Sequence, residues 1–394
     1  MTIHRPDIQE QTIIIKERRR RFTLGIPVGR WPHYPPTLLT PEGAHLLDSR
    51  DIEVCVEKGV GEIINYTDSR YAAAGANIVS RRDTLQCDVV LYPGQLTAKE
   101  ASLMKHRAVL LTLMRNRDID IETAGIMLSK SITVIALDYV RDFHGKRPLA
   151  DILGEVSGRA AITIASSYLS TAAGGKGILL GGVAGVNPCE VVILGTGMSA
   201  LAAARSAIGL GSIVRLFDND QYCLRTAISE LGAAVIGSTL HPAVLSHALI
   251  SADIIIATRL NQPFAFDNVM IDNLKQGAVI MDLNDRKGHS AVFPTLRCLD
   301  VSKSFQEVDI VSSRVCFINP GNAVPRTAAM AATNDIVPVF DRLFRSGAGL
   351  MNVFKTDSGL RGAVMMFGGR IVHPHAAEIL GVKCVDISLL LSFS

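Results

Sequence analysis

Short apolar runs separated by helical patterns recur along the first part of the chain. Ile52-Glu53-Val54-Cys55-Val56 reads as a strand, Tyr71 to Ala76 as a short helix and Asp88-Val89-Val90-Leu91-Tyr92 as a strand. Ala98 to Met104 follows as a helix, Ala108 to Leu111 as a strand, Ile121 to Ser129 as a helix and Thr133 to Ala136 as a strand. Most of these runs lack polar alternation, as expected of parallel strands covered on both faces. Ile52 to Val56 does alternate, which places it at a sheet edge. Right-handed crossovers through the intervening helices then give a doubly wound sheet of the α/β class.

A long helix is expected from Ala150 to about Ala172, followed by a glycine-rich segment from Gly174 to Gly185. A second alternating series comes next, with strands at Glu190 to Leu194, Ser212 to Phe217, Asp253 to Ile256 and Ala278 to Met281. A helix from about Thr327 to Phe344 leads back toward the first unit. No internal repeat or low-complexity segment stands out.

Within the second series, Val191-Val192-Ile193-Leu194 runs into Gly195-Thr196-Gly197-Met198-Ser199-Ala200, and a helical pattern begins there. The next strand closes on Leu216-Phe217-Asp218. The order strand, Gly-x-Gly-x-x-Ala, helix, strand, acid is that of a dinucleotide-binding unit. Gly195 allows the tight turn, Gly197 lacks the Cβ that would block a pyrophosphate, and Ala200 lets helix and strand pack closely. The helix N terminus offers free N–H groups and partial positive charge to the phosphates. A carboxylate at Asp218 accepts hydrogen bonds from the adenosine ribose hydroxyls and repels a 2′-phosphate, which favours NAD over NADP. Arg215 and Arg225 lie near enough in sequence to weaken that preference. The plainer reading is an ordinary strand-to-helix turn.

Composition narrows the classes. With 394 residues, 48% of them hydrophobic and 20% charged, the chain is long enough for two globular domains. Its formal net charge of +3 is too mild to imply nucleic acid. The one basic run, Lys16-Glu17-Arg18-Arg19-Arg20-Arg21, reads as a solvated helix end. Seven scattered cysteines without CxxC spacing argue against a disulfide framework or a structural zinc. Neither a signal peptide nor a membrane span is recognisable, so a cytoplasmic protein is expected. His144, and His373 with His375, read as surface positions.

A series of blocks extends the picture over nearly all of the chain: Gly25-Ile26-Pro27, Thr40-Pro41-Glu42-Gly43, Tyr71-Ala72-Ala73-Ala74-Gly75-Ala76, Glu155-Val156-Ser157-Gly158-Arg159, Gly174-Gly175-Lys176-Gly177 through Val186, Asn319, and Val324-Pro325-Arg326-Thr327. In order and spacing they resemble the alanine dehydrogenase family, related to the amino-terminal part of nicotinamide nucleotide transhydrogenase. The resemblance implies two Rossmann-like doubly wound domains. Residues 1–149 and 326–394 would form a substrate domain from both chain ends, with an NAD-binding domain over 150–325 inserted between them. It also implies NAD-linked oxidative deamination of L-alanine to pyruvate and a homo-oligomer, a dimer or hexamer. Gly195, Gly197, Met198, Ala200, Asp218 and Asn319 would serve the cofactor, with Asn319 near the nicotinamide.

At the reacting centre the chain departs from that family. Where the family places a carboxylate-clamping arginine, counting back from Thr40 gives Pro36; where it places a lysine after the Asp88 strand, an ungapped count gives Gly94. Its catalytic histidine corresponds to Arg115, and its catalytic aspartate to Arg286, with Asp285 one place early. A glutamate after Ile135-Ala136 is Asp138 here. Asp285 and Arg115 are the candidates for catalysis and Arg30 and Asp138 for substrate contact. His33, Tyr34 and Arg117 are further groups near the altered pocket, although loop arginines are usually solvated.

Losing one acid–base group typically costs two to four powers of ten in rate, about 3–5 kcal/mol of barrier. The expectation is therefore an NAD(H)-binding oxidoreductase of 2-amino or 2-oxo acids with an altered substrate or weak turnover. Its rival is a catalytically silent dinucleotide-binding homologue that senses redox state or serves a structural role. A transhydrogenase-like component is a third reading, against which the lack of any recognisable docking element counts.

Overall fold

The computed structural model describes residues 22–30, 34–114, 119–260, 262–284, 289–302, 309–344 and 349–392. Its strands fall into two largely parallel sheets. The first holds β1 (Phe22–Ile26), β2 (Ile52–Glu57), β3 (Asn77–Val79), β4 (Val89–Leu91), β5 (Val109–Thr112) and β6 (Thr133–Ala136). The second holds β7 (Glu190–Leu194), β8 (Ile213–Phe217), β9 (Val235–Ser238), β10 (Ile254–Ala257), β11 (Val279–Asp282), β12 (Arg297–Asp300) and β13 (Val315–Ile318). β14 (Val364–Phe367) and β15 (Arg370–Ile371) return to the first sheet, giving the order β15-β14-β6-β5-β4-β1-β2-β3. Only β14 runs against the others there, pairing antiparallel with β6 on one side and β15 on the other. The first sheet thus draws strands from before and after the segment that builds the second.

Alternation within one strand explains the unbroken apolar runs. Val191 and Ile193 of β7 enter one core, while Val192 and Leu194 enter another on the opposite face. Ile254 and Ile256 of β10 join the first of these cores, and Ile255 and Ala257 the second. Both strands therefore need apolar side chains at these successive positions, as helices cover both faces.

The second sheet has the order β12-β13-β11-β10-β7-β8-β9. From β7 the chain moves outward through β8 and β9, then reverses to β10 and continues on the other side. That reversal leaves a crevice at the carboxyl ends of β7 and β10, where ligands bind in doubly wound sheets.

The helix Pro148–Tyr168 connects the two units. Its Leu149, Leu153 and Val156 belong to the first unit's core, whereas Ala161, Ile162, Ala165 and Tyr168 belong to the second's. It lies closely against the helix Met198–Gly209, because Gly154 and Gly158 face Ser199. A Cβ on Gly158 would stand 2.1 Å from the Ser199 carbonyl oxygen. The helix Pro325–Phe344 carries the chain back, burying Ala329, Ile336 and Phe340 in the first core.

Three expectations change. β2 is not an edge strand, since β1 and β3 pair with it on either side. Its half-buried polar positions are occupied instead: Asn77 Nδ2 donates to Glu53 Oε1 at 3.0 Å and Arg81 to Glu57 Oε2 at 2.9 Å. The long helix ends at Tyr168, and a separate 3₁₀ turn covers Thr171–Ala173. His373 and His375 are half-buried rather than surface residues, packed on Tyr139 with ring centroids at 5.2 and 5.7 Å. Burial, then the neighbouring His375, lowers the His373 pKa. His144 does lie in an exposed turn. The run Lys16 to Arg21 lies outside the described residues.

Candidate functional site

The turn after β7 is shaped by its glycines. Gly195 adopts φ +99°, and a Cβ there would stand 2.3 Å from Thr258 Oγ1. Thr258 itself donates its hydroxyl to the Leu194 carbonyl at 2.7 Å, tying the ends of β7 and β10 together at the crevice. Gly197 caps the helix Met198–Gly209 at its N terminus. A Cβ on Gly197 would meet no protein atom within 4 Å. No neighbouring atom demands a glycine there, and the backbone is bare at the mouth of the crevice. Met198 opens the helix, and Ala200 is wholly buried against the sheet.

Asp218 directly follows β8 and is only 3% exposed. Two donors hold its carboxylate: Thr196 Oγ1 reaches Oδ2 at 2.7 Å, and the Asp220 N–H reaches Oδ1 at 2.9 Å. Arg215 turns away from it to Glu190, at 3.1 Å, at the start of β7. Asn319 follows β13 in the left-handed conformation, φ 58°, which asparagine tolerates well. Its Nδ2 donates to Asp300 Oδ2 at 2.8 Å, at the end of β12. Asp282, at the end of β11, is fully buried and accepts from the Ser290 hydroxyl at 2.5 Å and the Asn284 N–H at 2.8 Å. Asp285 lies outside the described residues.

Around the carboxyl ends of the first sheet, charged groups satisfy one another. Arg30 Nη2 donates to Glu100 Oε2 at 2.7 Å, and Arg81 Nη2 to Glu100 Oε1 at 2.7 Å. Arg81 Nη1 also reaches Glu57 Oε2 at 2.9 Å and the Val28 carbonyl at 3.0 Å. Burial raises the Glu100 pKa, but the Thr97 N–H, Arg81 and the Thr97 hydroxyl outweigh it and hold the carboxyl below its usual range. Two arginines and two glutamates thus form a closed set in which Arg30 is already paired.

The loop between β1 and the helix Pro41–Asp48 folds on itself, with the Gly29 N–H donating to the Pro36 carbonyl at 2.6 Å. Its Tyr34 ring sits on Gly94: a Cβ there would stand 2.6 Å from Tyr34 Cγ. Asp138 is buried beyond β6, and its Oδ1 accepts the Met114 N–H at 2.9 Å, so it anchors the chain leaving β5. Arg115, Arg117 and His33 lie outside the described residues. Among the described residues no group of three or more His, Cys, Asp or Glu is placed to hold a metal ion.

Comparisons with known proteins agree with this fold. Residues 37–160 match the family "Alanine dehydrogenase/PNT, N-terminal domain", and residues 161–374 match "Alanine dehydrogenase/PNT, C-terminal domain". The chain belongs to the alanine dehydrogenase/PNT family. It is 28% identical over 382 residues to an alanine dehydrogenase of Mycolicibacterium smegmatis, covering 94% of this chain and 100% of that one. To an alanine dehydrogenase of Bacillus subtilis it is 29% identical over 353 residues, covering 88% and 92% of the two chains. A solved L-alanine dehydrogenase superimposes with a TM-score of 0.77 at 26% identity, covering 91% of this chain and 99% of that one. A transhydrogenase from Sinorhizobium meliloti shares the fold, with a TM-score of 0.70 at 21% identity over 90% and 99% of the two chains.

Within this alanine dehydrogenase/PNT chain, the motif around Gly195 and the acid at Asp218 meet at one crevice, as their spacing suggests. Asn319 follows the neighbouring strand β13, whereas Arg30 and Asp138 belong to the other sheet and are committed to protein partners. Pro36 is buried, and Gly94 is covered by Tyr34. Arg286, like Arg115, lies outside the described residues. Sequence reasoning missed the roles of Thr196, Thr258, Glu57, Arg81 and Glu100. Thr196 alone carried a signal, as the middle residue of Gly195-Thr196-Gly197.

Proposed function

We propose that this chain is an NAD(H)-dependent oxidoreductase of alanine dehydrogenase type whose substrate differs from L-alanine. The observation that carries the cofactor reading is the buried Asp218 carboxylate, held by two protein donors beside the bare helix N terminus at Gly197. The residues present fit a dinucleotide. The N–H groups at the start of the helix Met198–Gly209 would hold the diphosphate, Asp218 the adenosine ribose, and Asn319 the nicotinamide end. Bound NAD would supply the hydride acceptor. Since Arg215 is engaged by Glu190, Asp218 is left to exclude a 2′-phosphate, which favours NAD over NADP.

Support for an altered substrate comes from the first sheet. Arg30 and Arg81 are paired with Glu100 and Glu57, and Tyr34 covers Gly94, so the described residues offer a small amino acid's carboxylate no unpaired cation at Pro36 or Gly94. Arg115 and Asp285 remain the candidates for acid–base work, and Asp138 would position the chain bearing Arg115 through Met114. The reading includes a substrate domain of residues 1–149 and 326–394, a cofactor domain of 150–325, a cytoplasmic setting and a homo-oligomeric state. Among the described residues no helix is long and apolar enough to cross a membrane.

The test is NADH consumption with a panel of 2-oxo acids and ammonium. Turnover with an acid larger than pyruvate, and little with pyruvate, is the expected result. The closed charge set around Glu100 also favours a second reading, a dinucleotide-binding homologue without catalysis. Saturable NADH binding with no turnover across the panel would establish that second reading over the first.

A further inference from the structure

The Thr196–Asp218 hydrogen bond suggests a role for the middle residue of the glycine motif. We propose that Thr196 is a positioning residue that fixes the ribose-binding carboxylate and thereby sets the preference for NADH over NADPH. The inference rests on the dinucleotide reading given above and names a determinant of its specificity.

A carboxylate that is 3% exposed must find donors for its oxygens, and Asp218 finds one for each: the Thr196 hydroxyl for Oδ2 at 2.7 Å and the Asp220 N–H for Oδ1 at 2.9 Å. An ionised carboxylate offers about four lone-pair sites, so each oxygen keeps one for a further donor. Two remaining acceptor sites, one per oxygen, match the paired 2′- and 3′-hydroxyls of a ribose. The backbone donor arrives whatever residue stands at 196, but the side-chain donor does not. Glycine or alanine at 196 would leave Oδ2 without a protein partner and the carboxylate held through Oδ1 alone.

Position 196 is also suited to this task by its place in the chain. It lies between Gly195, whose φ of +99° turns the backbone sharply, and Gly197, which caps the helix. The side chain therefore leaves the turn directly at the end of β7, next to β8, whose last residue precedes Asp218. A held negative charge also raises the cost of a 2′-phosphate at the same place, because like charges in a buried site repel strongly.

The test compares wild type with Thr196→Val, Thr196→Ala and Thr196→Ser by calorimetric titration of NADH, NADPH, AMP and nicotinamide mononucleotide. Valine keeps the shape and removes the hydroxyl; serine keeps the hydroxyl. Loss of one hydrogen bond predicts a rise of about 3- to 10-fold in the dissociation constants of NADH and AMP. Nicotinamide mononucleotide should be unaffected, the NADH/NADPH preference should narrow, and serine should restore both. A purely structural role would weaken both halves of the dinucleotide together. Unchanged or tighter NADH binding in the valine variant overturns the proposal while leaving the dinucleotide reading intact. If valine does not fold, the alanine variant decides the same question; if neither folds while serine does, Thr196 is a structural residue and the proposal falls. No NADH binding by wild type would remove the reading beneath it.

Discussion

Gly195 and Asp218 show how a few atoms set the crevice. At Gly195 a positive φ and the nearby Thr258 hydroxyl both exclude a side chain. Gly195→Ala should therefore destabilise the fold by about 1–3 kcal/mol, read as a lower urea midpoint. Asp218→Ala should weaken NADH binding by about 1–3 kcal/mol through the loss of charge-assisted ribose hydrogen bonds. An unchanged dissociation constant would remove Asp218 from the site. These two positions were legible because their signal is local: a strand, two glycines and an acid at fixed spacing. The contacts of Tyr34 with Gly94 and of Arg30 with Glu100 were not. They join residues far apart in sequence, and nothing in either segment names its partner.

Elements were read well where both faces of a strand are buried. β6, β7 and the helix Ile121–Ser129 match their expected limits, because unbroken apolar runs and clear caps leave one solution. β1 went unassigned because it follows a charged run, and β3 and β15 are only three and two residues long. β2 misled because its polar positions, normally a mark of a sheet edge, are paired across the sheet with Asn77 and Arg81 although strands flank it on both sides.

Gly158→Ala should push apart the helices Pro148–Tyr168 and Met198–Gly209, since its Cβ would stand 2.1 Å from the Ser199 carbonyl. A cost of about 1–3 kcal/mol, seen as a lower melting temperature, is expected. Glu100 closes the capping box of the helix Ala98–Leu103 and pairs with both Arg30 and Arg81. Its folded pKa lies below the usual 4.5. Its stabilising contribution is therefore fully present above about pH 4.5 and is lost as the pH falls through the lower folded value. The stability difference between wild type and Glu100→Gln should be largest near neutral pH and shrink in acid, as urea unfolding between pH 3 and 6 would reveal.

In the whole molecule, one helix belongs to two cores and lies against the helix Met198–Gly209, which Gly197 caps. The two cores are thus joined by a shared element, although their strands belong to different sheets. The crevice was foreseeable from sequence because one contiguous segment builds most of it. The charge set around Glu100 was not, because Arg30, Glu57, Arg81 and Glu100 come from four separate segments. If the crevice takes NADH, the ligand stabilises the folded chain by mass action, about 2.7 kcal/mol at a hundredfold excess over its dissociation constant. The most direct measurement is calorimetric titration of the full chain with NADH and NADPH at one ionic strength. Saturable NADH binding with distinctly weaker NADPH binding is the predicted result; no saturable heat with either nucleotide would contradict the account.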